Sequence, residues 1–125
     1  MIGYVTLGTN DREKSSKFYD ALCGELGVGR MMEDDQFIAW GKPGASAGIG
    51  ITRPFDGNAA SVGNGVMVAL AARDEEQVKR LHEIALANGG TDEGAPGERF
   101  PGFYAGYFRD PDGNKLNAFV MKSEG

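Results

Sequence analysis

Met67-Val68-Ala69-Leu70, with Asp74-Glu75-Glu76-Gln77-Val78 close behind, restarts the pattern with which the chain begins. Moving the opening segment forward by 67 − 4 = 63 places sets Tyr4 on Met67, Val5 on Val68 and Leu7 on Leu70. The same shift sets Asp11 on Asp74, Phe18 on Leu81, Leu22 on Ala85 and Cys23 on Leu86. Any two amphipathic strand–helix pairs can be slid into partial register. Gapless agreement of strand, cap region and helix face from residue 4 to residue 23 asks for more than amphipathicity and points to an internal repeat.

The elements around the repeat follow from local chemistry. Tyr4 to Leu7 is short, β-branched and aromatic, a strand. Asn10 with Glu13 three residues on predicts an N-cap and capping box. Phe18, Tyr19, Leu22, Cys23 and Leu26 then recur at helical spacing over residues 11–26, and Gly27 supplies the left-handed stop. Strands are expected over 28–32, 36–40 and 47–52, with Asp34-Asp35 and Lys42-Pro43-Gly44 as turns and residues 53–64 as a connector. The second half gives a strand at 66–70, a helix at 74–88 stopped by Gly89-Gly90, an edge strand near 98–100, and strands at 102–109 and 115–121. Between the last two, Asp110-Pro111-Asp112-Gly113 is a tight turn with Pro at its second position. The fold class is therefore α+β, one domain of 125 residues holding two βαβββ modules, at about 1–56 and 64–122, joined by a connector near 57–63.

Composition narrows the function. Thirteen Lys and Arg against eighteen Asp and Glu give a net charge of −5, a poor basis for neutralising nucleic-acid phosphates or anionic lipid. Spread over the surface, that charge is weakly consistent with a cationic ligand. One cysteine, Cys23, excludes an internal disulfide; one histidine, His82, excludes any site needing two imidazoles from one chain. No apolar run approaches the ~20 residues of a membrane span. The start of the chain lacks the basic and apolar segments of a secretion signal, so a cytoplasmic protein is expected. The glycine-rich stretch 44–50 has neither the Lys-Ser/Thr pair nor the following helix of a phosphate loop and is expected to be a hairpin. His82 is expected as a partly exposed helix residue and Cys23 as a small core hydrophobe.

Alternation assigns the strand faces. Val5 and Leu7 oppose Tyr4 and Thr6; Val68 and Leu70 oppose Met67 and Ala69; Leu116, Ala118 and Val120 oppose Asn117 and Phe119. The aliphatic side should lie under the helices. The mixed side, Tyr4, Thr6, Met67, Asn117 and Phe119, has the composition of a ligand cavity, or else of a plain core in which Tyr4 and Asn117 satisfy one another. Trp40, Phe37, Arg99, Phe100, Phe103, Tyr104 and Tyr107 are candidates to add an aromatic wall, although alternation must send about half of them the other way.

These motifs resemble the vicinal-oxygen-chelate superfamily of glyoxalases, extradiol dioxygenases and bleomycin-resistance proteins. The resemblance is carried by residues 2–8, Ser16-Lys17-Phe18-Tyr19, residues 63–70, and above all the strand–Asp110-Pro111-Asp112-Gly113-Asn114–strand signature within 102–117. It covers essentially the whole chain and implies paired βαβββ modules forming a half-open mixed-sheet barrel around a cavity. Metal-dependent members carry His on the first strand, His on the fifth and Glu on the last. Those positions hold Tyr4, Met67 and Asn117 here, and the fourth, near Gly50 or Thr52, offers no carboxylate. Phenol, thioether and amide are weak ligands for divalent ions, so no metal and no other cofactor is expected.

The expectation is a metal-independent small-molecule-binding protein resembling the resistance or sequestering branch. It would be a homodimer with no nucleic-acid or membrane partner, and it would take an aromatic or amphipathic ligand. The expected ligand-binding residues are Tyr4, Thr6, Trp40, Met67, Tyr104, Asn117 and Phe119. The alternative is a glyoxalase-like lyase or isomerase, or a dioxygenase-related enzyme, working through Tyr4 and Asn117 or an atypical metal. A third possibility is an interaction module whose cavity is vestigial.

Overall fold

The computed structural model describes residues 1–44 and 47–122; Ala45 and Ser46 of the glycine-rich stretch, and residues 123–125, lie outside the described residues. The element order is β1 (Tyr4–Gly8), α1 (Arg12–Glu25), β2 (Arg30–Glu33), β3 (Phe37–Trp40), β4 (Gly48–Thr52), β5 (Val68–Ala71), α2 (Glu75–Ala87), β6 (Thr91–Phe100), β7 (Phe103–Arg109) and β8 (Lys115–Met121). They form two four-stranded sheets with matching orders, β1-β4-β3-β2 (sheet one) and β5-β8-β7-β6 (sheet two). In each, the strand before the helix lies parallel to the last strand of its module, and the other pairs are antiparallel. Among the described residues no strand of one sheet pairs with a strand of the other, so the barrel is open and β1 and β5 are edge strands. Among the described residues no helix is long and apolar enough to cross a membrane.

The register settles the faces. Val5 lies opposite Ile49 and Leu7 opposite Ile51, while Ile38 and Trp40 continue the same side across β3. In sheet two Val68 lies opposite Leu116 and Leu70 opposite Ala118, with Phe108 and Gly106 beyond them. These inner faces and the apolar stripes of α1 and α2 join in one core that includes Phe18, Tyr19, Leu22, Ile51, Leu81 and Leu116. The modules meet through that core: α1 packs against α2, and the Phe18 ring lies 6.3 Å from that of Phe108.

Three local details differ from expectation. Asn10 does not cap α1; Asp11 does, accepting from the Lys14 amide at 3.1 Å. Asn10 instead bonds both backbone groups of Ala60, tying down the connector. The edge strand expected near 98–100 runs from Thr91 to Phe100, its pairing with β7 interrupted by register shifts that hide it from a period-two pattern. His82 is buried, with Nε2 3.0 Å from Asp92 Oδ1 and its ring edge-on to Phe108. A carboxylate partner at the surface is what lets an imidazole enter this interior. Gly27 closes α1 with φ +76 as expected.

Candidate functional site

Tyr4, Thr6, Asn117 and Phe119 lie on the strand faces turned away from the core, but two of the expected site residues sit on the other side. Trp40 is 1% exposed beneath α1, where its indole N–H donates to Asp20 and its ring packs on Tyr19. Its spacing from Ile38 already carried that signal. Tyr104 lies opposite Val120 and packs against the core, on the helix side of β7. Trp40 and Tyr104 are thus not on the face that carries Asn117 and Phe119.

Nor does a single chain bring the remaining candidates together. Tyr4 and Thr6 lie on sheet one, Asn117 and Phe119 on sheet two; Tyr4 is 64% exposed. Met67 precedes β5 and turns toward a different space. Together with Trp40 it lines an apolar cleft of about 600 Å³ walled by Val5, Leu26, Ile49 and Leu70. Cys23 also lines it, and burial pushes that thiol up to about 12, so it is an inert wall. Among the described residues the cleft offers no side chain free to orient a polar ligand.

The outer face of sheet two is chemically different. Asn117 sits between Ala69 on β5 and Tyr107 on β7, and is 1% exposed. Its Oδ1 is buried without a hydrogen-bond partner among the described residues. An amide oxygen buried and left unpaired is destabilising by about 1–3 kcal/mol, a cost that a hydrogen-bond donor reaching it would remove. Beside it Phe100, Phe103 and Phe119 form a stack, with centroids 4.7 and 5.7 Å apart and planes 3° and 23° from parallel. On the other side the Arg99 guanidinium and the Lys115 ammonium both lie over the Tyr107 ring, at 5.2 and 5.6 Å. Lys115, two residues before Asn117 and therefore on its face, is the member that motif reasoning missed.

At the three positions where the resemblance implies metal ligands, the side chains are weak donors for a divalent ion. Tyr4, Met67 and Asn117 provide a phenol, a thioether and an amide. Among the described residues no three His, Cys, Asp or Glu side chains are grouped to hold an ion.

A sequence model of the Glyoxalase/Bleomycin resistance protein/Dioxygenase superfamily matches residues 1–118. The chain belongs to this superfamily. A glyoxalase/bleomycin resistance protein from Albidiferax ferrireducens T118 is 41% identical, with 98% of this chain and 99% of that one covered and a TM-score of 0.90. Two further superfamily structures share the fold at 19% identity. One is a glyoxalase/bleomycin resistance protein/dioxygenase family enzyme from Burkholderia phytofirmans PsJN, with TM-score 0.76 and 96% and 98% covered. The other is a lactoylglutathione lyase from Agrobacterium tumefaciens, with TM-score 0.69 and 96% and 92% covered. No curated protein matches the sequence. As a superfamily member the chain carries its signature turn at Asp110–Asn114 in a load-carrying position: Asn114 Nδ2 donates to the Gly8 carbonyl at the end of β1, and the Asp112 carboxylate accepts from the Asn10 amide. The turn is a clasp between modules.

Proposed function

We propose that this protein is a metal-independent binder of small aromatic molecules, held on the outer face of sheet two. The observation that carries the reading is the buried, unpartnered Oδ1 of Asn117 beside the Phe100–Phe103–Phe119 stack. A ligand N–H or O–H would satisfy that oxygen, and the rings would cover a flat body. The resistance-type members of the superfamily work by this kind of sequestration.

The face is open in one chain, so the reading includes a homodimer. Exposed Tyr4 and Met32 on sheet one, with exposed Met121 on sheet two, are apolar groups that a second copy would cover. A copy laying its Tyr4 and Thr6 over Asn117 and Phe119 would unite the residues that one chain keeps apart. The unpaired edges of β1 and β5 favour such an association.

The test is thermal denaturation with a panel of aromatic compounds, in EDTA, alongside sedimentation analysis. Saturable stabilisation that survives chelation, in a dimer, is expected. Stoichiometric tightly held metal with turnover of a glutathione hemithioacetal would overturn the reading in favour of a lyase.

A further inference from the structure

We infer that the ligand of this face is an aromatic acid: a flat ring bearing a carboxylate and, elsewhere on the ring, a hydrogen-bond donor. The inference rests on the outer face of sheet two being the binding site and assigns the chemistry that site selects.

Three features specify the parts. The aromatic stack of Phe100, Phe103 and Phe119 takes a planar body. The orphaned Asn117 Oδ1 accepts and cannot donate, so the group meeting it must carry a hydrogen. The charge comes from Arg99 and Lys115. In a chain of net charge −5, these two cations converge on one ring, Tyr107, the direct cross-strand neighbour of Asn117. Neither takes part in an ion pair among the described residues, whereas Arg109 on the neighbouring strand does, with Glu93.

The backbone is shaped around this arrangement. A methyl group at Gly97 would come within 3.1 Å of one Arg99 terminal nitrogen, and one at Gly94 within 3.2 Å of the other. Glycine at both places leaves room for the guanidinium beside Tyr107, where its second anchor is a 2.7 Å bond to the Ala95 carbonyl. A guanidinium anchored by the Ala95 carbonyl and the Tyr107 ring keeps a planar fork, which suits a carboxylate; the Lys115 ammonium, 5.6 Å from the centroid of the same ring, adds a second positive charge. The local field therefore opposes the net charge: the overall acidity is consistent with a cationic ligand, but the site itself favours an anion.

Titration calorimetry with ring acids and their amides separates the possibilities. The probes are 4-hydroxybenzoate and 6-hydroxy-2-naphthoate, the corresponding neutral amides, and benzoate, which lacks the donor. The acids should bind about ten-fold more tightly than the amides at low salt, and the advantage should shrink in concentrated NaCl. Benzoate should bind about five-fold more weakly than 4-hydroxybenzoate. The double variant Arg99→Gln/Lys115→Gln changes two surface side chains. It should lower acid binding to the level of the amides and remove the salt dependence of acid binding. Equal binding of acids and amides to the unaltered protein would overturn the anion assignment and leave the aromatic site standing. Failure of all five probes to bind would overturn the site itself.

Discussion

The Tyr19 hydroxyl donates to Asp110 Oδ2 at 2.7 Å, joining the middle of α1 to the β7–β8 turn across 91 residues of sequence, with both groups buried. Asp110 also accepts from the Asp112 and Asn114 amides and from Asn114 Nδ2, so its carboxylate organises the turn and fixes it to the other module. Burial pushes the Asp110 carboxyl up, against the pull of those donors, and burial followed by the Asp110 charge pushes the Tyr19 phenol up.

Tyr19→Phe keeps the ring packing and removes one donor, and should destabilise by about 1–3 kcal/mol. Asp110→Ala strands several donors at once and should be worse. Urea denaturation of both variants, with the double variant closing the cycle, checks this; additive losses would mean the two residues do not act together.

Asn117→Leu should raise the melting temperature, since it replaces an unpaired buried amide by an apolar side chain of similar size. The gain should be of order 1 kcal/mol, and aromatic-ligand binding should disappear. A less stable Asn117→Leu variant that still binds would show that Asn117 is an ordinary structural residue.

Cys23 should resist thiol reagents. With the thiol pushed up to about 12 by burial, almost none is thiolate near pH 8. Reaction with Ellman's reagent should be slow in the native protein and immediate in denaturant; rapid native reaction would show that the cleft admits solvent to the sulfur.

Acid should unfold the protein through its paired carboxylates. Arg30 bonding holds Asp20 low, Gln77 and Arg80 hold Glu25 low, backbone amides hold Asp34 low, and the Gly94 amide with His82 holds Asp92 low. A group lowered in the folded state contributes stability that is full above its unfolded value, about 4, and is lost as pH falls through the folded value. Asp110 runs the other way: its contribution is present at low pH and lost as pH rises through its raised folded value. The urea midpoint should therefore fall as pH drops below about 4, modestly because these carboxylates are largely solvent-exposed. A flat profile down to pH 2.5 would contradict the assignment.

Much of this was legible in the chain. The 63-residue repeat, the glycine stop at Gly27 and the alternation of Val5 and Leu7 against Tyr4 and Thr6 are local patterns, because period two and period 3.6 are imposed by the backbone itself. The same alternation, applied to Ile38 and Trp40, would have placed Trp40 under the helix. The displacement of Asn10 by Asp11 as cap was not legible: both are good caps, and the choice was made by Ala60, fifty residues away.

What the sequence by itself determined is which side of most strands is dry, and that Tyr4, Met67 and Asn117 are a phenol, a thioether and an amide. Only the tertiary structure decided that the two modules join through their helices and the Tyr19–Asp110 bond. That arrangement leaves Tyr4 and Asn117 on separate sheets and gathers Arg99, Lys115 and Tyr107 around the latter. The reason is physical. Burial side follows from a short-range period, whereas the meeting of distant surfaces depends on shape and on single hydrogen bonds between residues with no periodic relation in the chain.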